Sequence, residues 1–333
     1  MISFDNILAY HKYLLDDILN APKGILAALK ISVVGSINEN TEEQVIVIKD
    51  KNNFPSLIIC AVPFLRERDV SRFTEGETYA DRSKKINEGI KKHYEHIAKL
   101  AEEKRKEFGN DIPIIATGHL SVAGGKRNDD DGVRETYIGG IEVVGADIFP
   151  NAFDYVALGH YHIPSCIKDH IRYCGSPIPM GFGEAGQNKC VYVIDFDNGK
   201  NIHTINIPVF QKLEAIIGDK YFIKEKLEAL KTTGDSVWVE VTYNGEDMLP
   251  NLTEWVNDQV VNTSVEVLKI QNRKFINEFL KHTDTTIGLD SLEPQGVFNT
   301  FLNETSISEA QKSELNEIYK EVLDKVQINP EQI

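Results

Sequence analysis

The chain has 333 residues, 41% of them hydrophobic and 26% charged, with a formal net charge of −15 at pH 7. That length buries one large core, or one core with a smaller satellite, and no run reaches the roughly 18 apolar residues of a membrane span. The charge argues against broad adhesion to a phosphate backbone, because each phosphate contact needs a Lys or Arg nearby.

Residues 1–20 form an amphipathic segment in which Asp5, Asp16 and Asp17 exclude a secretory signal, so a cytoplasmic protein is expected. Strand-like segments follow at 45–49, 56–62, 112–117, 155–158 and 190–196, with a charged helix over 81–108. The strands are short, β-branched and nearly uniformly apolar, which predicts burial on both faces in an α/β sandwich. The helix carries Ile86, Ile90, Tyr94, Ile97 and Leu100 as an apolar stripe. Its Lys, Glu and His residues, His93 and His96 included, read as a solvated face.

After Pro208 the pattern becomes strand (212–217), helix (221–231), strand (236–243), helix (250–261) and strand (265–270), a module that closes a small sheet of its own. Trp255 shares a helix with Leu252 and Val256 and is expected in the core of that module, while Lys269, Arg273 and Lys274 make a modest basic cluster. From Phe275 onward the sequence is polar and helical. Its stripes, Phe298, Phe301 and Leu302, then Leu315, Ile318, Tyr319, Val322 and Val326, suit either packing on the body or docking of a partner helix. The expected domains are 1–208, 209–273 and 274–333.

Two strands end in histidine: Ile112-Pro113-Ile114-Ile115-Ala116-Thr117-Gly118-His119-Leu120, and Tyr155-Val156-Ala157-Leu158-Gly159-His160-Tyr161-His162. Ligand groups gather at the carboxyl ends of strands in open α/β folds. Gly118 and Gly159 are expected to allow a sharp turn and leave room for a substrate or ion. His160 and His162 stand two apart in a strand-like exit, which would point both to one side. Imidazole suits Mn, Fe, Zn or Ni. An isolated His-x-His is often incidental; the second Gly-His, earlier in the chain at a strand end, makes the pattern a candidate site.

Other groups read as structural. Asn128-Asp129-Asp130-Asp131 is a solvated loop, His170 and His203 lack partners at ligand spacing, and Ser121 and Ser176 lack a His/Asp arrangement for nucleophilic catalysis. Cys60, Cys166, Cys174 and Cys190 match neither a zinc ribbon nor a disulfide scaffold and read as reduced thiols. Glu184 is a candidate for satisfying backbone donors near the site.

Gly159-His160-Tyr161-His162 resembles the Gly-His-x-His motif of calcineurin-like metallophosphoesterases. Ala116-Thr117-Gly118-His119-Leu120, Val62-Pro63-Phe64-Leu65-Arg66 with Arg68-Asp69, and Arg172-Tyr173-Cys174-Gly175-Ser176-Pro177-Ile178-Pro179 with Phe182 and Glu184 are similar to phrases of one family among them, the SbcD nuclease subunits. The resemblance implies a metallophosphoesterase sandwich, incomplete here, a small α+β capping domain that contacts DNA in relatives, and C-terminal helices that bind an SbcC-type ATPase. It implies an ATP-dependent exonuclease and hairpin endonuclease acting on double-stranded DNA in repair and recombination, as a homodimer within a heterotetramer. By the same resemblance His119 and His160 ligate one Mn2+ and His162 a second, and the pair polarises the phosphoryl oxygens and activates a bridging water.

The family also uses an Asp-x-His, a Gly-Asp whose carboxylate bridges the metals, and a Gly-Asn-His-Asp. This sequence holds no Asp-x-His and no Gly-Asn-His-Asp; Gly109-Asn110-Asp111 lacks the histidine, and Gly218-Asp219 and Gly234-Asp235 fall in the second domain. Ile2-Ser3-Phe4-Asp5 with His11-Lys12-Tyr13-Leu14-Leu15-Asp16 resembles text just after the first motif, whereas Leu19-Asn20-Ala21-Pro22-Lys23 resembles text just after the last. The expectation is an internal deletion near residues 18–20 and a start downstream of the first motif, against chance similarity in a short helix. A catalytically inactive remnant that binds only the ATPase is the alternative function, and a phosphoesterase for small substrates a third reading.

Overall fold

The apolar runs pair into a six-stranded sheet in the computed structural model, which describes the backbone of residues 7–9 and residues 23–37, 40–72, 76–109, 111–126, 143–197, 199–245, 249, 251–272, 298, 312–313, 315–317 and 319–320. Two units are resolved, Met1–Ala215 with Ser236–Trp238, and Ile216–Asp235 with Val239–Ile333.

In the first unit the short pair β1 (Ile7–Ala9) and β2 (Ser32–Val34) is parallel, and helix α1 (Lys23–Ala28) precedes β2. The main sheet contains β3 (Val45–Lys49), β4 (Pro55–Cys60), β5 (Ile114–His119), β6 (Tyr155–Gly159), β7 (Ser165–Lys168) and β8 (Ile171–Tyr173), in the spatial order β3-β4-β5-β6-β8-β7. Strands β4, β5, β6 and β8 run parallel, and β3 and β7 close the edges antiparallel. The crossover from β4 to β5 carries α2 (Glu67–Val70) and the long α3 (Tyr79–Phe108). Helix α3 begins in a capping box: the Thr78 hydroxyl accepts from the Asp81 N–H while the Asp81 carboxylate accepts from the Thr78 backbone.

Because side chains alternate along a strand, the sheet has two apolar faces. Ile58, Cys60, Ile114, Ala116, Val156 and Leu158 meet Ile86, Ile90, Tyr94 and Ile97 of α3. Leu57, Ile59, Ile115 and Tyr155 point the other way, toward Val34, Ile194, Phe196 and Ile202. Each Val, Leu or Ile among them that is fully removed from water contributes on the order of 1.5–3 kcal/mol. The layers are therefore helix, main sheet, and the short strand pairs.

Two expectations about this unit need correction. The segment at 190–196 is not buried on both faces: β9 (Cys190–Asp195) pairs antiparallel with β10 (Asn201–Asn206), and Val191 and Val193 face outward, 39% and 38% exposed. A two-stranded hairpin packed by one side has only one covered face, so a uniformly apolar run does not prove two. His93 does not belong to the solvated face. It is half-buried, its Nε2 lies 3.1 Å from Oε1 of the buried Gln44, and burial pushes its pKa down to about 4. His96 is exposed.

From Lys212 onward β11 (Lys212–Gly218), β12 (Val237–Tyr243) and β13 (Val265–Asn272) form a three-stranded sheet, most of it in the second unit, with α4 (Lys220–Thr233) and α5 (Leu252–Val260) as the intervening helices. Asp219 caps α4 by accepting from the Phe222 N–H, and Gly234 ends it in the left-handed conformation. Leu252 and Val256 are the buried residues of α5. Trp255 is only half-buried, with Lys220 Nζ 5.1 Å above its ring, because the Leu252–Val256 stripe already faces the sheet. Lys269 is paired with Glu240 at 2.6 Å, so its charge is partly spent within the unit; Arg273 and Lys274 lie outside the described residues. Of the two C-terminal stripes, Phe298 and Tyr319 stack with centroids 3.9 Å apart; Phe301, Leu302, Ile318, Val322 and Val326 lie outside the described residues. Among the described residues, no helix is long and apolar enough to cross a membrane.

Candidate metal centre at the ends of two parallel strands

The parallel register sets His119 opposite Gly159, so β5 and β6 end at the same level. The residue after Gly159 is His160, and its ring lies edge-on to that of His119 with centroids 5.1 Å apart. Phe64 covers His119 from a second direction at 6.2 Å. His160 has φ +107°, outside the usual range for a side chain with a Cβ. Strain of that kind costs on the order of 1–3 kcal/mol and clusters at working sites.

That backbone turn overturns the strand-exit argument for His160 and His162. The strand stops at Gly159, and alternation no longer governs the next residues. The glycines also act otherwise than expected. A Cβ at Gly118 would stand 2.3 Å from the Tyr94 hydroxyl, which donates to the Thr117 carbonyl at 3.0 Å. A Cβ at Gly159 would approach the His119 Nδ1 at 3.1 Å. The room that these glycines leave is filled by Tyr94 and by His119 itself.

His162 engages a buried polar group. Its Nδ1 is 2.8 Å from Glu184 Oε1. Glu184 leaves a short turn, Phe182–Glu184, with no exposure at all, and its Oε2 accepts from Ser176 Oγ at 3.1 Å and from Lys189 Nζ. Lys189 Nζ also donates to Ser176 Oγ at 3.0 Å and to the His162 carbonyl at 3.1 Å. Glu184 therefore satisfies side-chain donors, not the backbone donors expected for it. A buried carboxylate needs such partners, since leaving it unpaired costs several kcal/mol. Sequence reasoning missed Lys189 altogether; a lone Lys directly before a strand that begins in buried Cys190 was the available signal.

Among the described residues, no three His, Cys, Asp or Glu side chains converge closely enough to hold one ion. Imidazole nitrogens suited to a borderline divalent metal are present at His119, His160 and His162, and among the described residues no carboxylates join them in a cluster of three or more. The residues present fit one side of such a centre. The remaining candidates stay structural: Ser121 gives its carbonyl to Val144 N–H, His170 sits in the β7–β8 turn, and His203 is exposed on β10. The acidic run 128–131 lies outside the described residues. All four cysteines are free, and burial pushes the Cys60, Cys174 and Cys190 thiols up, away from thiolate reactivity.

The SbcD subunit of the SbcCD nuclease from Escherichia coli K12 is 30% identical over 311 residues, covering 92% of this chain and 76% of that protein. The chain belongs to the SbcD family. The SbcD protein from Escherichia coli O157:H7 matches equally, and the one from Rhodobacter capsulatus is 29% identical over 203 residues, covering 57% of this chain and 47% of its own. The SbcD C-terminal model, described as the type 5 capsule protein repressor C-terminal domain, matches residues 209–306. Within the SbcD family the mixed α/β layers described above are a sandwich of the metallophosphoesterase type, and the Gly118-His119 and Gly159-His160-Tyr161-His162 phrases sit at its strand ends.

Proposed function

We propose that the chain acts as the SbcD component of an SbcCD-type nuclease that cuts double-stranded DNA ends and hairpins in repair and recombination, with His119, His160 and His162 as its metal ligands. The observation that carries this reading is the pair of imidazoles 5.1 Å apart at the ends of two adjacent parallel strands. A divalent ion there, Mn2+ by family resemblance, would polarise phosphoryl oxygens and acidify a bound water. The chain's own part is positional. Strand register sets His119 opposite Gly159, which brings the next residue, His160, beside it, and Glu184 holds the His162 ring from the side away from its Nε2.

The net charge of −15 makes unaided adhesion to DNA weak, which supports an SbcC-type ATPase as the partner that brings the substrate. Residues 209–273 are read as a DNA-contacting cap and 274–333 as the ATPase-binding part, in a homodimer within a cytoplasmic heterotetramer. A second reading, a catalytically inactive subunit that only binds the ATPase, is favoured by the lack of Asp-x-His and Gly-Asn-His-Asp in this sequence.

Cleavage of a DNA hairpin in Mn2+, with and without the ATPase, separates the two. Cleavage by the complex that disappears in His160→Ala is the expected result. An ATPase complex that forms normally and never cuts establishes the second reading.

A further inference from the structure

We infer that Glu184 is a positioning residue: it fixes His162 as the Nδ1–H tautomer, so that Nε2 is the nitrogen carrying the lone pair. The group around His162 is built for orientation at every level. Its carbonyl oxygen accepts from the Ser176 N–H at 3.2 Å and from Lys189 Nζ at 3.1 Å. Gly175, with φ +82°, lies so close that a Cβ there would stand 2.6 Å from that oxygen. Its ring meets Glu184 Oε1 at 2.8 Å. Backbone and imidazole are thus clamped by one segment, 175–189.

The proton follows from the donors and acceptors. Lys189 can only donate, and a carboxylate paired with an ammonium can only accept. Ser176 accepts from Lys189 and donates to Glu184 Oε2, which leaves no proton on the carboxylate for His162. The proton between His162 and Glu184 therefore belongs to Nδ1. A neutral histidine in water favours the other tautomer, so Glu184 reverses an intrinsic preference. Stability alone does not explain the arrangement, because an ion pair this deeply buried is often no better than apolar residues of the same volume. A carboxylate behind a metal-binding imidazole is a general means of setting tautomer and basicity; the metal part of this inference rests on the function proposed above.

The test uses the full chain labelled with 15N-histidine, metal-free and at a pH where imidazole is neutral, with the His162 signals assigned by His162→Gln. The parent should show His162 protonated at Nδ1. Glu184→Gln should invert it: Lys189 must claim the amide oxygen, the amide N–H then faces Nδ1, and the proton moves to Nε2. Glu184→Gln combined with Lys189→Met lets the amide turn over and should restore the Nδ1–H form. Mn2+ affinity, read by calorimetry, should fall roughly 10–100-fold in Glu184→Gln and recover in the pair. An Nε2–H tautomer in the parent overturns the inference, whether or not the variants fold. So does a tautomer unmoved by a folded Glu184→Gln. The expected tautomers with no Mn2+ binding by any form would instead sink the metal reading and leave the positioning relation standing.

Discussion

Lys189→Met removes the ammonium and keeps the volume. The side chains of Lys189 and Glu184 are 4% and 0% exposed, so the orphaned carboxylate has no water to turn to. Removing one partner of a buried pair costs about 3–5 kcal/mol, whereas replacing both with uncharged groups is near neutral. Ser176 and His162 still donate to Glu184, which places the expected loss toward the lower value, about 3 kcal/mol. For a unit of roughly 200 residues that corresponds to a fall in Tm of about 6–12 °C. Urea unfolding followed by circular dichroism measures it, and an unchanged slope against denaturant would show that only stability has moved. Adding Glu184→Gln to Lys189→Met should recover most of the loss. A Lys189→Met cost below about 1 kcal/mol, or a double variant that simply sums the single ones, would refute the buried-pair reasoning.

Three further outcomes are expected. His93 has its pKa lowered to about 4 by burial, so between pH 6.5 and 4 the unfolded chain binds the extra proton; stability falls as pH drops through that window, by about 2 kcal/mol at pH 5, and urea midpoints at pH 7 and pH 5 should converge in His93→Gln. Gly118→Ala drives a methyl against the Tyr94 hydroxyl and should cost roughly 1–3 kcal/mol, partly relieved by Tyr94→Phe in the same thermal-melt series. His160→Gly should raise the melting temperature, by relieving about 1 kcal/mol or more of backbone strain at φ +107°, while weakening Mn2+ binding by about tenfold or more.

The sandwich was legible because β4, β5 and β6 carry apolar residues on both faces, and α3 repeats its stripe at Ile86, Ile90, Tyr94 and Ile97. The short strands β7 and β8 and the hairpin partner β10 were not, since three to six residues give too little periodicity. His119 and His160 could be paired from Gly-His phrases at two strand ends, but the pleat could not say that the backbone breaks at His160. The roles of Gly118, Glu184 and Lys189 depend on contacts far away in sequence or through buried side chains: Tyr94 for the first, and the Ser176–His162 cluster for the others. His93 was misread because helical spacing marks which face a residue is on, and not whether a neighbour such as Gln44 covers that face.

Mn2+ titration of the purified chain, read by the resonance signal of the ion left in solution and comparing the parent with His160→Ala, tests the strand-end histidine pair most directly. Binding by the parent that His160→Ala weakens by about tenfold or more is expected. Equal binding by the two, or none by the parent, contradicts His119 and His160 as a metal-holding pair.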